Sequence, residues 1–353
     1  MAMTSRLDLL LKHVTPTAPG IEIAPYFNPA LPKRAGCNVR IFDVFDTETL
    51  RARARENSFI PDSRIAEIEA VDFVGDACRI GAVLGREGLL GRFDHIVSSH
   101  NFEHLANPIL FLQGAAQALK PGGVLSMAIP DGRACFDHFR FPTRLGDWLL
   151  AYHTDRDKPD PVTLFDAHGY RALYWRGADP SEAAGFLSED PAQFRPESEL
   201  QAQYRAFVAR LEAPYAYTDA HCSVLFPELF ELHLRELHHL GLVDFEILEI
   251  VPTQGHEFFV HLRKPVAPAP QDAPQDTPQD ADDFHRRRAA LLRAVALRMG
   301  ETPFLSTPRW EIADRDAAHP LRALLQNPRQ ILARLRIWNR QRRQRRRAKR
   351  AAR

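Results

Sequence analysis

Cysteine is scarce in this chain of 353 residues. The four present, Cys37, Cys78, Cys135 and Cys222, lie far apart and never form a C-x-x-C pair, which excludes a zinc ribbon, a dithiol redox motif and a disulfide scaffold. Scattered thiols of this kind fit a reducing cytoplasm. Long hydrophobic runs are also missing. The longest uncharged apolar stretch, residues 105–119, carries Asn107, Pro108, Gln113 and Gln117 and falls short of the ~18 residues a spanning helix needs. The leucines near the N-terminus are interrupted by Arg6, Asp8 and Lys12, unlike the apolar region of a secretory signal. No transmembrane segment is expected, and the expected localisation is cytoplasmic. Nor is there an excess of either charge: 46 Lys+Arg stand against 45 Asp+Glu, a formal +1, which argues against a dedicated nucleic-acid binder. What remains is 45% hydrophobic and 26% charged, the composition of a soluble globular protein with room for about two domains.

The near-zero charge averages unlike parts. Residues 329–353 hold 12 Lys/Arg and no Asp/Glu, leaving 34 basic against 45 acidic residues, a net −11, on residues 1–328. Residues 265–283, PVAPAPQDAPQDTPQDADD, offer almost nothing to bury and predict an extended linker. Before it lies a body of residues 1–264. After it, residues 284–353 form a helical to disordered extension ending in the basic tail. There Ile331, Leu332, Leu335 and Trp338 share one helical stripe beside arginines, a pattern suited to an anionic membrane surface, which would place the chain peripherally at the inner membrane, to nucleic acid or to an acidic partner. A solvated tail is the plainer reading, and nucleic acid is not expected on the body.

Within the body, apolar runs of strand length alternate with helical patterns, the form of βαβ units and a mostly parallel sheet. Strands are expected at 20–24, 38–43, 68–74, 93–99 and 123–130, with helices at 47–56, 80–90 and 109–119, the last stopped by Lys120-Pro121-Gly122-Gly123. A helix over 227–240 precedes two strands, 243–251 and 257–263, whose short link makes them an antiparallel hairpin. Residues 148–219 fit no strand of this count and predict a helical insertion over one end of the sheet.

Ligands of open α/β sheets sit beyond the carboxyl ends of the strands. Those ends carry Glu22, Asp43, Asp76 and Ser98-Ser99-His100. Asp43 follows Glu22 at close to the spacing at which a carboxylate meets ribose hydroxyls; a loop carboxylate or helix cap is the equal alternative for Asp43 alone. A dinucleotide also needs glycine N–H groups against its pyrophosphate. Here the turn reads Ala24-Pro25-Tyr26-Phe27-Asn28-Pro29, and its prolines lack donors. A pyrophosphate site is not expected, whereas S-adenosylmethionine (SAM), with no phosphate, tolerates such a turn.

The segments GIEIAP, NVRIFDVFDTETLRA, VDFVGDA, FDHIVSSHNFEHLANP, LQGAAQALKPGGVLSMAIPDGRACFDHFRFPT, TDAHCSVLFPELF and PTQGHEFFVHLRK resemble class I SAM-dependent methyltransferases, most of all a bacterial branch associated with glycan-building enzymes. The resemblance spans residues 18–264 apart from much of the insertion. Its most specific part is EHL-x-NP followed by LKPGG and a strand ending in IPD. It implies an α/β, Rossmann-like seven-stranded sheet of five parallel strands plus a C-terminal antiparallel hairpin. It implies SAM as cofactor, with Glu22 and the backbone of Ile23 and Ala24 beside its methionyl part, Asp43 on the ribose and Asp76 near the adenine amine. Ser98, Ser99 and His100 would line the pocket floor near the reactive methyl. Ala24 stands where the wider class usually has the first glycine of its loop.

The implied reaction is O-methylation of a sugar or glycan-linked acceptor. Methyl transfer is an in-line displacement that needs alignment and exclusion of water and, in principle, no metal; no metal ligands are expected. An oxygen nucleophile gains from a base, and His100, His104 and Asp131, which end or follow the fourth and fifth strands, are the catalytic candidates. Arg133, Arg140 and His221 are candidates for the substrate. Each has a structural alternative: His104 as a helix-start residue bonded to backbone, the two arginines as partners of Asp137, His221 as either. The stretch His100-Asn101-Phe102-Glu103-His104 also matches the inverted zinc-hydrolase pattern H-x-x-E-H, which requires both histidines on one helix; the flanking strand and Pro108 favour a strand-to-helix turn instead. A non-catalytic binding module of the same fold is the other alternative.

Overall fold

The computed structural model describes residues 5–176, 179–181, 194–266 and 278–299. The described chain divides into two compact units, one drawn from residues 1–25, 30–44 and 71–310, the other from 26–29 and 45–70. The larger unit opens with helix α1 (Arg6–Leu10), capped by Ser5. The smaller carries α2 (Thr47–Glu56), capped by the Asp46 carboxylate on Thr49 N, and α3 (Asp62–Ile65). All else described here belongs to the larger unit.

Its strands β1 (Gly20–Ile23), β2 (Val39–Asp43), β3 (Phe73–Val74), β4 (Phe93–Ser99) and β5 (Leu119–Pro130) run parallel. Helices α4 (Ile80–Arg86) and α5 (Pro108–Ala118) connect them. The insertion comprises α6 (Leu145–His153), α7 (Pro161–Gly169), β6 (Ala172–Arg176), β7 (Asp179–Ser181), β8 (Phe194–Pro196) and α8 (Leu200–Glu212). Helix α9 (Pro227–His239) leads to β9 (Glu246–Gln254) and β10 (Glu257–Arg263). The main sheet has the order β3-β2-β1-β4-β5-β10-β9, with β10 antiparallel to both neighbours. This is the expected Rossmann-like methyltransferase sheet with its terminal hairpin.

All four residues of β1, Glu22 included, are buried, as central strands are in parallel sheets covered on both faces. Gly20 is required there: a Cβ at this position would lie 1.9 Å from Nε2 of His95, the buried β4 residue opposite it. Helices α4 and α5 approach through Gly81 and Gly114, where a Cβ on Gly114 would meet Gly81 N at 2.7 Å. Phe102 is ringed by Phe111, Trp148 and Phe230, which ties the loop after β4, α5, α6 and α9 into one core.

Several boundaries differ from expectation. Strand β3 is two residues long because Asp72, not the ladder, receives Ile41 N with its carboxylate, 2.7 Å away, while also pairing with Lys33. Lys120-Pro121-Gly122-Gly123 does not end a helix before the strand but lies within β5 as a bulge, where these four residues stand against Asp94 alone of β4 and Gly122 takes φ 80°. The hairpin turns at Gly255-His256, with Gln254 already paired to Glu257. The insertion is not purely helical: β6 pairs antiparallel with β7 and β8, in keeping with the strand propensity of its Leu-Tyr-Trp run.

Helix α10 (Pro278–Arg298) takes the last six residues of the expected linker, with proline at the first helical position, where no N–H is needed. It packs on α9: Arg287 and Arg288 pair with Glu231 and Glu236 at 2.5 and 2.6 Å, and Phe284 stacks on His239. The start of the extension is therefore docked on the body. Residues 267–277 of the linker and the basic tail lie outside the described residues. No helix among the described residues is long and apolar enough to cross a membrane.

Because His95 fills the place of a Cβ, Gly20→Ala is expected to lower stability by about 1–3 kcal/mol or more, read from the denaturant midpoint. Combining it with His95→Ala is expected to cost less than the two single losses together, as a shared clash requires.

Candidate active site

The parallel order reverses between β1 and β4, the switch point at which an α/β sheet opens a crevice. On the β1 side, Glu22 is buried and its two carboxylate oxygens accept Ala30 N (2.6 Å) and Leu31 N (3.0 Å), fixing the return of the loop. Ile23 is fully packed, and Ala24 adopts φ 48° while donating its N–H to Phe42 O. The backbone thus makes a left-handed turn without glycine, a sparsely populated conformation for alanine. Asp43, ending β2, is 4% exposed, and its carbonyl receives Gly75 N, which holds the ends of β2 and β3 together. Asp76 follows, with Oδ1 capping Cys78 N at 2.8 Å.

Across the switch point, Ser98 is buried and accepts from Asn101 Nδ2, while Ser99 Oγ accepts from Arg6. His100 leaves the strand at φ 49°, its N–H bonded to Ala128 O. Its Nε2 lies 2.8 Å from Glu257 on β10, and Arg6 holds the same carboxylate at 2.6 and 2.8 Å. Phe102–His104 form one 3-10 turn, not a helix carrying both histidines, so the H-x-x-E-H pattern does not take its zinc-hydrolase form. His104 Nδ1 bonds Asp219 (2.9 Å), and His221 Nδ1 bonds Asp137 (2.5 Å). Glu103 lies among the three histidines, 1% exposed, and its carbonyl receives Cys222 N and Ser223 N. His100 and His104 remain about one-third exposed. His221, expected at the substrate, is 7% exposed and joins this cluster from behind.

Three other expected residues fall outside. Asp131 is fully buried, and its two oxygens already receive Arg133 N, Nε and Nη2 and Thr253 Oγ1; it has no lone pair aimed at an acceptor. Arg133 is spent on Asp131 and on the Phe226 ring, and Arg140, 6% exposed, on Asp137 at 2.7 Å. Both arginines are structural. Conversely, Glu257, Asp219 and Asp137 orient the site's histidines. Asp137 was visible in the sequence between the two arginines; nothing local marked Glu257 or Asp219.

Residues 7–184 match the family model described as a methyltransferase domain, half of the chain. The chain belongs to that family. It is a methyltransferase, and SAM is its methyl donor. The methyltransferase resembles, among solved structures, the PH0226 protein from Pyrococcus horikoshii OT3 (14% identity, 72% of this chain and 86% of that one, TM-score 0.36). It also resembles a SAM-dependent methyltransferase from Aquifex aeolicus (12%, 74% and 90%, TM-score 0.34) and the glycopeptide N-methyltransferase MtfA with SAM bound (12%, 74% and 94%, TM-score 0.34). Likenesses this weak decide nothing about its acceptor. No curated protein matches the chain.

The residues present fit the cofactor. Two carboxylates, Asp43 and Asp76, stand at neighbouring strand ends joined by a backbone bond, where a ribose diol and an adenine amine need acceptors. The proline-bearing turn offers no row of N–H groups for a phosphate, and SAM carries none.

Electrostatics set the site's protonation. Burial alone would raise the pKa of Glu257, but the bonds from His100 and Arg6 outweigh it and hold it down at about 2. Burial opposes charge on His100 and His104, yet the bonds to Glu257 and Asp219 and the nearby Glu103 carboxylate hold both above the usual imidazole value. Burial also pushes the Cys222 thiol up to about 12, keeping it protonated and unreactive. A carboxylate depressed from 4.5 to about 2 contributes stability that is full above 4.5 and lost as pH falls toward 2. Glu257→Gln is therefore expected to be less stable at pH 7, with a flatter loss between pH 4.5 and 2, measured by denaturant melts across that range.

Proposed function

We propose that this methyltransferase methylates an oxygen of a sugar or glycan-linked acceptor, with His100 as the base. The observation that carries the reading is the Glu257–His100 pair at the carboxyl end of β4, 2.8 Å apart and beside the switch point. With Nε2–H donated to Glu257, His100 keeps its lone pair on Nδ1, and the carboxylate fixes that tautomer and steadies the ring's charge once the proton is taken. A carboxylate-backed imidazole suits a hydroxyl, which must lose its proton as it attacks; a neutral amine needs no such help to begin.

Asp43 would hold the ribose hydroxyls, Asp76 the adenine amine, and the Ile23–Ala24 backbone the methionyl part, with Ser98 and Ser99 flooring the pocket. Glu22 acts one step back, by holding the loop through Ala30 and Leu31. SAM, when bound, supplies a sulfonium methyl: its carbon–sulfur bond breaks as the carbon–oxygen bond forms, leaving S-adenosylhomocysteine and a methyl ether. The acceptor's proton passes to His100 Nδ1. The resemblance to enzymes of glycan construction supports the sugar assignment, and a polar site of histidines and carboxylates suits a polyhydroxylated acceptor.

Incubation with labelled SAM and nucleotide-sugar or cell-envelope extracts is expected to yield a labelled methyl ether; a labelled amine or carbon product would overturn the assignment. His100→Gln is expected to lower kcat by about 100-fold or more with SAM affinity retained. Asp43→Asn is expected to weaken SAM binding by roughly 10- to 100-fold, the worth of a charge-assisted bond, read by titration calorimetry.

The tail is assigned to an anionic membrane surface, on the strength of its 12 basic residues and one apolar stripe. The full chain is expected to co-sediment with anionic liposomes, and a chain ending at Pro328 to remain in solution; equal binding by both would remove the tail's role.

A further inference from the structure

Several buried polar atoms among the described residues lack a hydrogen-bond partner, and Glu103 is the carboxylate that lacks one on both oxygens. Its side chain is 1% exposed, and neither carboxylate oxygen has a hydrogen-bond partner, a condition that costs a buried charge several kcal/mol unless something pairs with it. Three imidazole nitrogens face its Oε1: His100 Nδ1 at 3.7 Å, His104 Nε2 at 3.8 Å and His221 Nε2 at 3.9 Å. These separations exceed a hydrogen bond. They are close to the roughly 3.4 Å that separates two ligand atoms bound at ~2.1 Å to one tetrahedral ion.

The outer nitrogens of these rings are all taken by carboxylates: His104 Nδ1 by Asp219 and His221 Nδ1 by Asp137, beside the His100–Glu257 pair. A carboxylate on the outer nitrogen keeps the proton there and turns the other nitrogen's lone pair inward, the arrangement that orients histidine ligands around a metal. Ligand atoms of Glu103, His104 and His221 lie within 4.8 Å of one another. Two other described clusters share that closeness but are already neutralised or protonated. Glu249, beside His13 and His261, holds the Lys12 ammonium with both oxygens at 2.7 Å. Asp137, beside Cys135 and His221, holds Arg140, and the Cys135 thiol is buried.

We infer that Glu103, His104 and His221 bind one divalent transition-metal ion such as Zn²⁺ or Fe²⁺ beside His100. Two imidazoles and one carboxylate select this class over Mg²⁺ or Ca²⁺, which prefer oxygen ligands throughout. Three protein ligands leave at least one position open, as in catalytic rather than structural sites. An acceptor hydroxyl bound at that position would be acidified before giving its proton to His100, whose Nδ1 lies 3.7 Å from Glu103 Oε1. This use rests on the function proposed above; binding of the ion does not. The ligand set differs from that of the inverted zinc-hydrolase pattern, because His100 serves as base and His221 comes from a distant segment.

The test uses the full-length protein, stripped with a chelator and titrated with Co²⁺, whose visible absorption reports nitrogen and oxygen ligation. One Co²⁺ per chain is expected, displaced by Zn²⁺. Glu103→Gln and His221→Gln are expected to weaken uptake at least about 100-fold, and Asp219→Asn by about 10- to 100-fold, the usual cost of losing an outer carboxylate. His13→Gln, in the other histidine cluster, is expected to leave uptake unchanged. Each variant is checked for native melting and SAM binding in metal-free buffer. No uptake at about 0.1 mM free Co²⁺, where a micromolar site is full, by a chain that binds SAM would overturn the inference while leaving the methyltransferase reading in place. Undiminished uptake by Glu103→Gln would overturn it too. Uptake that follows these variants in a chain making no methyl ether would keep the ion site and sink the acceptor assignment instead.

Discussion

Three carboxylates from distant parts of the chain, Asp137, Asp219 and Glu257, each bond a histidine next to the carboxyl end of β4. The site has its shape only while those segments are in register with that strand. Asp137 follows β5, Asp219 ends the insertion, and Glu257 opens β10. The insertion is thus tied to the loop after β4 through Asp219 and His104, and the terminal hairpin contributes a partner for His100 as well as sheet area. Charge-assisted bonds of this kind are short and directional, so they set ring orientation more tightly than packing alone.

Two buried acids show how the interior separates support from reactivity. Asp131 receives four hydrogen bonds across its two oxygens, and such saturation makes it a rivet between β5, Arg133 and Thr253. Glu103 receives none on its side chain, although its carbonyl is doubly bonded to the 222–223 backbone. Buried polar groups in native proteins are nearly always satisfied, and the exceptions call for a specific explanation. The backbone tells a similar story: Ala24 and His100, on facing strand ends, both accept left-handed conformations that L side chains rarely adopt.

Most of the sheet was legible because its parallel strands are short, largely apolar runs alternating with helical patterns and ending in or followed by acids or polar residues. The residues proposed for the cofactor, Glu22, Asp43, Asp76 and Ser98, lie at or next to those strand ends. The histidine partners have no such place in the sequence. Glu257 and Asp219 are ordinary acids in ordinary surroundings until folding brings them to His100 and His104, more than a hundred residues away in sequence. Asp131 misled for the opposite reason: it stands where a reactive acid would stand, and only the fold brings Thr253 to its second oxygen. The composition of the Pro/Gln/Asp tract predicts an extended linker, but proline is also a good first residue of a helix, and α10 begins at one.

Strand β10 lies between β5 and β9 although it is the last strand of the main sheet in the chain. A ribosome delivers residues in order, so a nascent chain carrying β1 to β5 and the whole insertion still has a gap where β10 will sit. Until it emerges, His100 has no Glu257 and Arg6 lacks the carboxylate it clasps, keeping only Ser99 as a partner. The crevice between β1 and β4 can therefore assemble early, whereas the Glu257–His100 bond forms only when the body is nearly complete.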